Sequence, residues 1–333
     1  VARRSRRTAF CFDDNFSLPA WVSIISLVDT ANKKTIYSIY VLYDYLNEMN
    51  RSNLNRLVLG NRHSIKFINV KSTLKRFKSI KSVEFWPKIT LSRLFIPEIL
   101  KEDKVIYSDV DVIFKKDLFK VFNCNLENYH YAMVAAENLY QKPEGHRRIS
   151  LYNNRYIFYN GFILFNSKLI RYEKVCKHIL NTFEENKEKF GPSVDLELIN
   201  SATSKIFRLP LKYCLLESLI IYDRISDIPE YDWLSKLYSD VELMHAIKNV
   251  VIIHYTVNGE HREKPWKRLN PPKNYLSYIL NSPYKYDWLS QKIIKKAFRK
   301  SAFLKRLSNS KIYNNKVDLY IKLILKYILR AFH

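Results

Sequence analysis

Glycine is scarce in this chain: 333 residues contain 5, at positions 60, 145, 161, 191 and 259. No two stand closer than Gly145 and Gly161, so neither GxGxxG nor GxxxxGK[ST] can be written. A nucleotide here has no glycine cradle of closely approaching backbone N–H groups, and phosphate binding falls to a metal and cationic side chains. Proline is also sparse, at 11; with both residues below their usual shares of about 7% and about 5%, collagen, low complexity and disorder are excluded. The four cysteines, Cys11, Cys124, Cys176 and Cys214, never form CxxC, which excludes a zinc ribbon and a thioredoxin motif. They read as buried thiols in a reducing cytosol. No apolar run approaches the ~18 residues that span a bilayer, and Val1-Ala2-Arg3-Arg4-Ser5 lacks the apolar stretch of a signal peptide. The expectation is a cytoplasmic protein.

Acids are the minority charge, 32 Asp+Glu against 56 Lys+Arg, giving a net +24 in a chain that is 47% hydrophobic and 14% aromatic. This describes a folded, basic protein with one main core and a short appendage. The excess is concentrated: residues 291–333 carry 12 Lys+Arg and one acid, Asp318. Apolar residues recur among them at helical spacing (Ile293, Ile294, Ala297, Phe298; Val317, Tyr320, Ile324, Tyr327, Ile328). Such basic amphipathic helices suit an anionic membrane surface; the alternative is a solvated helix capping the core. We therefore expect a catalytic domain over 1–290 and a basic membrane- or acceptor-associating region over 291–333.

Strand-like runs alternate with helix-length segments. Thr8–Phe12 stops at Asp13-Asp14-Asn15; a helix with Trp21, Ile24, Ile25 and Val28 on one face follows; then strand-like 35–42, helical 47–59, strand-like 64–69, helical 89–100 and strand-like 104–107. Further strands are expected at 131–135, 161–165 and 250–254. The alternation predicts an α/β fold with a mostly parallel sheet between helices. In such sheets ligands bind beyond the carboxyl ends of strands. Three strand ends carry suitable groups: Asp13-Asp14-Asn15, Ser108-Asp109-Val110-Asp111 and His254.

Asp109 and Asp111 in IYSDVDVIF can share a divalent cation and the diphosphate it bridges. His254 closes VVIIH, where an imidazole can complete a metal shell, and Lys264 ten residues on can meet a phosphate. Each residue has a plainer reading as well. Asp13 and Asn15 could cap the next helix, Arg93 could pair with Glu98, and Asp195 could complement a helix N-terminus.

The ordered set CFDDNF, LSRLFIPEIL, IYSDVDVIF, YNGFILFN, VDLELIN and IIHY…KPW resembles glycosyltransferase family 8 over roughly residues 8 to 290. These are retaining enzymes of the GT-A fold that include bacterial lipopolysaccharide α-galactosyl- and α-glucosyltransferases. The resemblance implies a Rossmann-like mixed sheet flanked by helices, a UDP-hexose donor, a glycan or glycolipid acceptor, and Mn²⁺ or alternatively Mg²⁺ as cofactor. It implies that Asp13 and Asn15, with Cys11 beside them, hold uracil and ribose, and that Arg93 contacts the donor. Asp109, Asp111 and His254 match the metal ligands, with Asp109 also on the donor side. Lys264 and Gly259 match the groups on the diphosphate, Asn160 beside Gly161 stands in the stretch of the family's N-x-G contact to the sugar without matching its spacing, and Asp195 matches an acid near the reacting sugar carbon.

Two departures stand inside the motifs: Leu196 replaces the family's Gln, and Tyr159 stands where an Asn precedes the glycine by two. They point to front-face attack or to an altered activity. The resulting expectation is a Mn²⁺-dependent retaining transfer of galactose or glucose from UDP-sugar to a lipopolysaccharide-type acceptor, on the inner face of a bacterial membrane, with no specific nucleic-acid partner. The rivals are a catalytically altered family member that binds nucleotide or glycan, and a basic nucleic-acid-binding protein.

Overall fold

In the computed structural model, residues 5–77, 87–138, 156–186, 190, 193–228, 230–256 and 263–307 are described, with backbone alone for 137–138 and 297–307. The chain divides into two compact units, Val1–Arg262 and Glu263–His333.

The strands of the first unit are β1 (Arg6–Cys11), β2 (Tyr37–Tyr43), β3 (Ser64–Asn69), β4 (Lys104–Ser108), β5 (Val112–Phe114), β6 (Tyr131–Asn138), β7 (Tyr156–Asn166), β8 (Ile206–Leu209), β9 (Leu215–Leu216) and β10 (Ile252–His254). Seven form one sheet in the order β3-β2-β1-β4-β7-β6-β8. In its central strands β-branched and aromatic residues fit a pleated surface buried on both faces; β1 and β4 are almost wholly buried, while the edge strand β3 is not. The expected parallel pairing holds for β1 with β2 and β4, for β2 with β3, and for β6 with β8. β7 departs from it, running antiparallel to both β4 and β6, so the sheet is mixed. A second, three-stranded sheet has the order β5-β10-β9.

The segment expected as one helix over 89–100 is instead a 3₁₀-helix, Lys88–Phe95, followed by a single α-turn, Ile96–Ile99. Pro97 explains the difference. It has no N–H to give the carbonyl of residue 93, and its ring would clash there; Arg93 O is bonded instead by Ile96 N–H, one residue earlier than an α-helix requires.

In the second unit the helices Lys273–Leu280 and Lys285–Leu307 follow a short 3₁₀ turn, Pro265–Lys267. Trp266 stacks on Tyr275, with centroids 6.3 Å apart. Trp288 Nε1 and Lys292 Nζ donate to Trp266 O at 2.9 and 2.8 Å. Lys295 pairs with Glu263 at 2.6 Å. The last helix runs unbroken from residue 285 through 290 to 307. Among the described residues no helix is long and apolar enough to cross a membrane. The apolar positions expected over 317–328 lie outside the described residues.

Candidate active site

β4 ends at Ser108, and the chain turns through Asp109-Val110-Asp111 into β5. Asp109 N–H donates to Gly161 O at 2.8 Å, which ties the turn to the middle of β7. β5 pairs antiparallel with β10, placing Val112 opposite His254, and Tyr255 N–H donates to Asp111 O at 2.9 Å. Residues far apart in sequence are therefore joined by a short strand pair. One ligand atom each from Asp109, Asp111 and His254 lies within 4.8 Å of the other two. His254 Nε2 is 3.2 Å from Asp111 Oδ1 and 3.9 Å from Asp109 Oδ2.

Gly161 makes room for this cluster. A Cβ there would stand 2.7 Å from His254 Cε1, closer than real Cβ atoms come, and a tight 3.1 Å from Asp109 Oδ2.

Arg93, 5% exposed, reaches in from the 3₁₀-helix and joins two carboxylates. Its Nη1 is 3.0 Å from Asp109 Oδ1 and its Nε is 3.2 Å from Asp195 Oδ2. Nη1 also donates to Asn160 O at 3.2 Å and Nε to Thr90 O at 2.9 Å. The guanidinium lies over the Tyr107 ring, 4.7 Å from its centroid, and the Tyr107 hydroxyl donates to Asp109 Oδ1. Glu98, the alternative partner considered for Arg93, pairs with Arg76.

Asp195 stands in the first turn of the helix Val194–Ser201. That helix is held on β7 by Asn200, whose Oδ1 accepts from Phe158 N–H at 2.7 Å and whose Nδ2 donates to Phe158 O at 3.0 Å. The clamp brings Asn160 Nδ2 to Asp195 Oδ2 at 2.9 Å.

Burial sets the electrostatics. It pushes the Asp109 carboxyl above its ordinary range, opposed by Arg93 and reinforced by Asp111. Burial opposes the charge on Arg93, but Asp109, Tyr107 and Asp195 hold its pKa above the usual value. For His254, burial opposes the charged form, yet Asp111 and the Cys214 sulfur, 3.5 Å from Nδ1, hold the imidazole well above its usual range. Desolvation lifts the Cys11 thiol to about 12, so it is no nucleophile.

The structure thus brings together Asp109, Asp111, His254, Arg93, Asp195, Asn160 and Gly161. Cys11 ends β1 beside this group, within electrostatic reach of Arg93 and Asp109. Asp13 acts as a cap: its Oδ1 accepts from Asn15 N–H at 2.9 Å, and Asn15 is exposed. Lys264 belongs to the second unit, and Gly259 lies outside the described residues. Tyr107 and Cys214 were not among the expected site residues. Tyr107 carried a signal, standing two residues before Asp109 and so on the same side of an extended chain.

The sequence pattern described as Glycosyl transferase family 8 matches residues 7–270. The chain belongs to glycosyltransferase family 8. Among its family relatives, the glycosyltransferase GlyA of Streptococcus pneumoniae serotype 4 is 27% identical over 177 residues, 53% of this chain and 21% of that protein. The lipopolysaccharide 1,3-galactosyltransferase of Salmonella typhimurium is 25% identical over 182 residues, 53% of each chain. The chain therefore spans about half or less of the curated relatives it matches. Among solved structures, the WbbM bifunctional glycosyltransferase superposes with TM-score 0.71 at 23% identity, covering 87% of this chain and 52% of that one. The galactosyltransferase LgtC, in complex with donor and acceptor sugar analogs, gives 0.66 at 18%, covering 83% and 96%. Both likenesses establish the GT-A fold of this family 8 member.

The donor set itself fits a divalent cation. Two carboxylates and an imidazole converge with their ligand atoms within 4.8 Å, a combination suited to borderline-hard dications, and the lack of a side chain at Gly161 lets His254 and Asp109 approach there.

Proposed function

We propose that this family 8 member transfers galactose or glucose, with retention, from a UDP-sugar to a lipopolysaccharide-type glycan acceptor, and that it depends on Mn²⁺, with Mg²⁺ as the alternative. The observation that carries the reading is the cluster of Asp109, Asp111 and His254 joined through Arg93 to Asp195. The relative that is a lipopolysaccharide 1,3-galactosyltransferase supports the choice of sugar and acceptor class.

Asp109, Asp111 and His254 would hold the cation, which when bound neutralises charge on the diphosphate and its leaving group. Breaking a sugar–diphosphate bond leaves positive charge on the sugar ring, and the Asp195 carboxylate, held by Arg93 and Asn160, is the group that stabilises it. Asn160 and Gly161 then lie on the sugar side. Asp13, Asn15 and Cys11 at the end of β1 are assigned to the nucleoside. The roles of Lys264 and Gly259 on the diphosphate rest on their sequence motif. Leu196 offers no nucleophile, and this favours front-face attack by the acceptor over a covalent intermediate. The basic region 291–333 is assigned to the anionic membrane surface on the cytoplasmic side.

Calorimetric titration of UDP with Mn²⁺ and with EDTA tests the donor site. Binding is expected with Mn²⁺, and both EDTA and Asp111→Ala should abolish it; equal binding in all three refutes the assignment. Leu196 and Tyr159 favour one second reading, a member that binds UDP without turnover. Sugar transfer or donor hydrolysis by the Mn²⁺-loaded protein excludes it.

A further inference from the structure

Asp109 offers two oxygens, and the fold uses them unequally. Oδ1 accepts from the Tyr107 hydroxyl and lies 3.0 Å from Arg93 Nη1. Oδ2 faces His254 Nε2 at 3.9 Å. A carboxylate with one oxygen engaged by two donors cannot rotate without losing both, so its other oxygen keeps one direction. His254 shows the same asymmetry, with Nε2 3.2 Å from Asp111 Oδ1 and Nδ1 3.5 Å from Cys214 Sγ.

Tyr107 and Cys214 are each 0% exposed. Neither can meet a nucleotide or a sugar, so any influence on the site passes through the residues they touch. Their placement follows from strand geometry. Tyr107 shares β4's trajectory with Asp109. Cys214 immediately precedes β9, whose Leu215 and Leu216 pair with Ile253 and His254 of β10, and that register carries the thiol to the imidazole.

We propose that Tyr107 and Cys214 are positioning residues of the cation site, fixing the Asp109 carboxylate and the His254 imidazole so that Oδ2 and Nε2 aim at one point. The inference rests on reading this cluster as a divalent-cation site, and it adds the outer groups that make the cluster a rigid one. A histidine that ligates through one ring nitrogen carries its proton on the other, and the partner of that N–H selects tautomer and ring angle. With Nε2 as the ligand, Nδ1–H donates to the Cys214 sulfur. Sulfur is a weak acceptor, whereas a hydroxyl on a carboxylate makes a strong charge-assisted bond. Tyr107 therefore contributes the larger share.

The test uses the full chain with UDP present. Mn²⁺ affinity is read from the free-ion electron paramagnetic resonance signal, and ligand geometry from the visible bands of bound Co²⁺. The proteins are wild type, Tyr107→Phe, Cys214→Ala and Cys214→Ser, with circular-dichroism melts on all four. Tyr107→Phe keeps the ring under Arg93 and is expected to weaken Mn²⁺ binding by about 10–100-fold; Cys214→Ala, by about 10-fold. Both should shift the Co²⁺ bands, and Cys214→Ser, which retains a hydrogen-bonding atom, should recover part of the affinity. Should Cys214→Ala fail to fold, Tyr107→Phe and Cys214→Ser decide the question. Wild-type affinity and bands in the variants overturn the inference while leaving the cation site standing, as does a lowered melt with unchanged bands. A wild-type protein that binds neither ion overturns the site and the inference together.

Discussion

At Gly161 the space for a side chain is already taken by His254 and Asp109, two members of the proposed cation site. Alanine would press its methyl to 2.7 Å from His254 Cε1, and neither the imidazole nor β7 can withdraw without disturbing the other. Gly161→Ala is expected to cost about 1–3 kcal/mol as an overpacked site and, with His254 as a ligand of the proposed cation, to lower Mn²⁺-dependent UDP affinity at least about tenfold; calorimetry with a parallel thermal melt checks both. The same residue shows what was legible in the sequence. Its pairing with Asn160 in YNGFILFN, the Asp-x-Asp turn and the strand-final His254 were all visible, because polar residues abruptly ending apolar strands are rare enough to stand out. The aromatic and thiol groups behind them were not. Tyr107 lies in an apolar run and Cys214 in another; for Tyr107 only the i, i+2 spacing from Asp109 hinted at a role, and for Cys214 nothing in one dimension separates it from an ordinary core thiol. Asp13 illustrates the reverse, a motif residue whose described contact is a local cap.

Secondary structure was legible where periodicity was strong, as in β3 over residues 64–69, and misread where one residue overrode the period, as Pro97 did. A finer coupling between elements is invisible to pattern altogether. His63, just ahead of β3, accepts the Tyr37 N–H of β2 on Nδ1 at 3.0 Å, and the two rings stack at 5.6 Å. Burial, helped by Arg62 and opposed by Asp117, holds the His63 pKa below its ordinary value. The unfolded chain, with a histidine pKa of about 6.5, then takes up a proton that the folded chain refuses. Stability from this contact is complete above that pKa and declines as pH falls through it. Urea unfolding at pH 7.5 and 5.5 should show a smaller loss on acidification in His63→Gln than in wild type; equal losses would remove His63 from the account.

Over the whole molecule, the charge excess of the tail was the clearest feature of the sequence, and part of it is spent internally. Lys292 and Lys295 are tied to Trp266 O and Glu263, while Lys296, Tyr286 and Ile293 on the same helix are exposed. Replacing Lys296, Arg299 and Lys300 with Gln should weaken sedimentation with anionic vesicles by about 3 kcal/mol, or roughly two orders of magnitude, at about 1 kcal/mol per basic residue. UDP binding should be unaffected. The small sheet has a consequence of another kind. Its middle strand, β10, is the last strand of the unit to leave the ribosome, and it alone brings the imidazole to carboxylates made some 140 residues earlier. The strands of the large sheet all precede β10 in the chain, so that sheet can form before the Asp109, Asp111 and His254 cluster is complete. If the proposed nucleotide and cation bind only the fold with β10 in place, they will raise its apparent stability by mass action, and the melting temperature should rise when UDP and Mn²⁺ are added together.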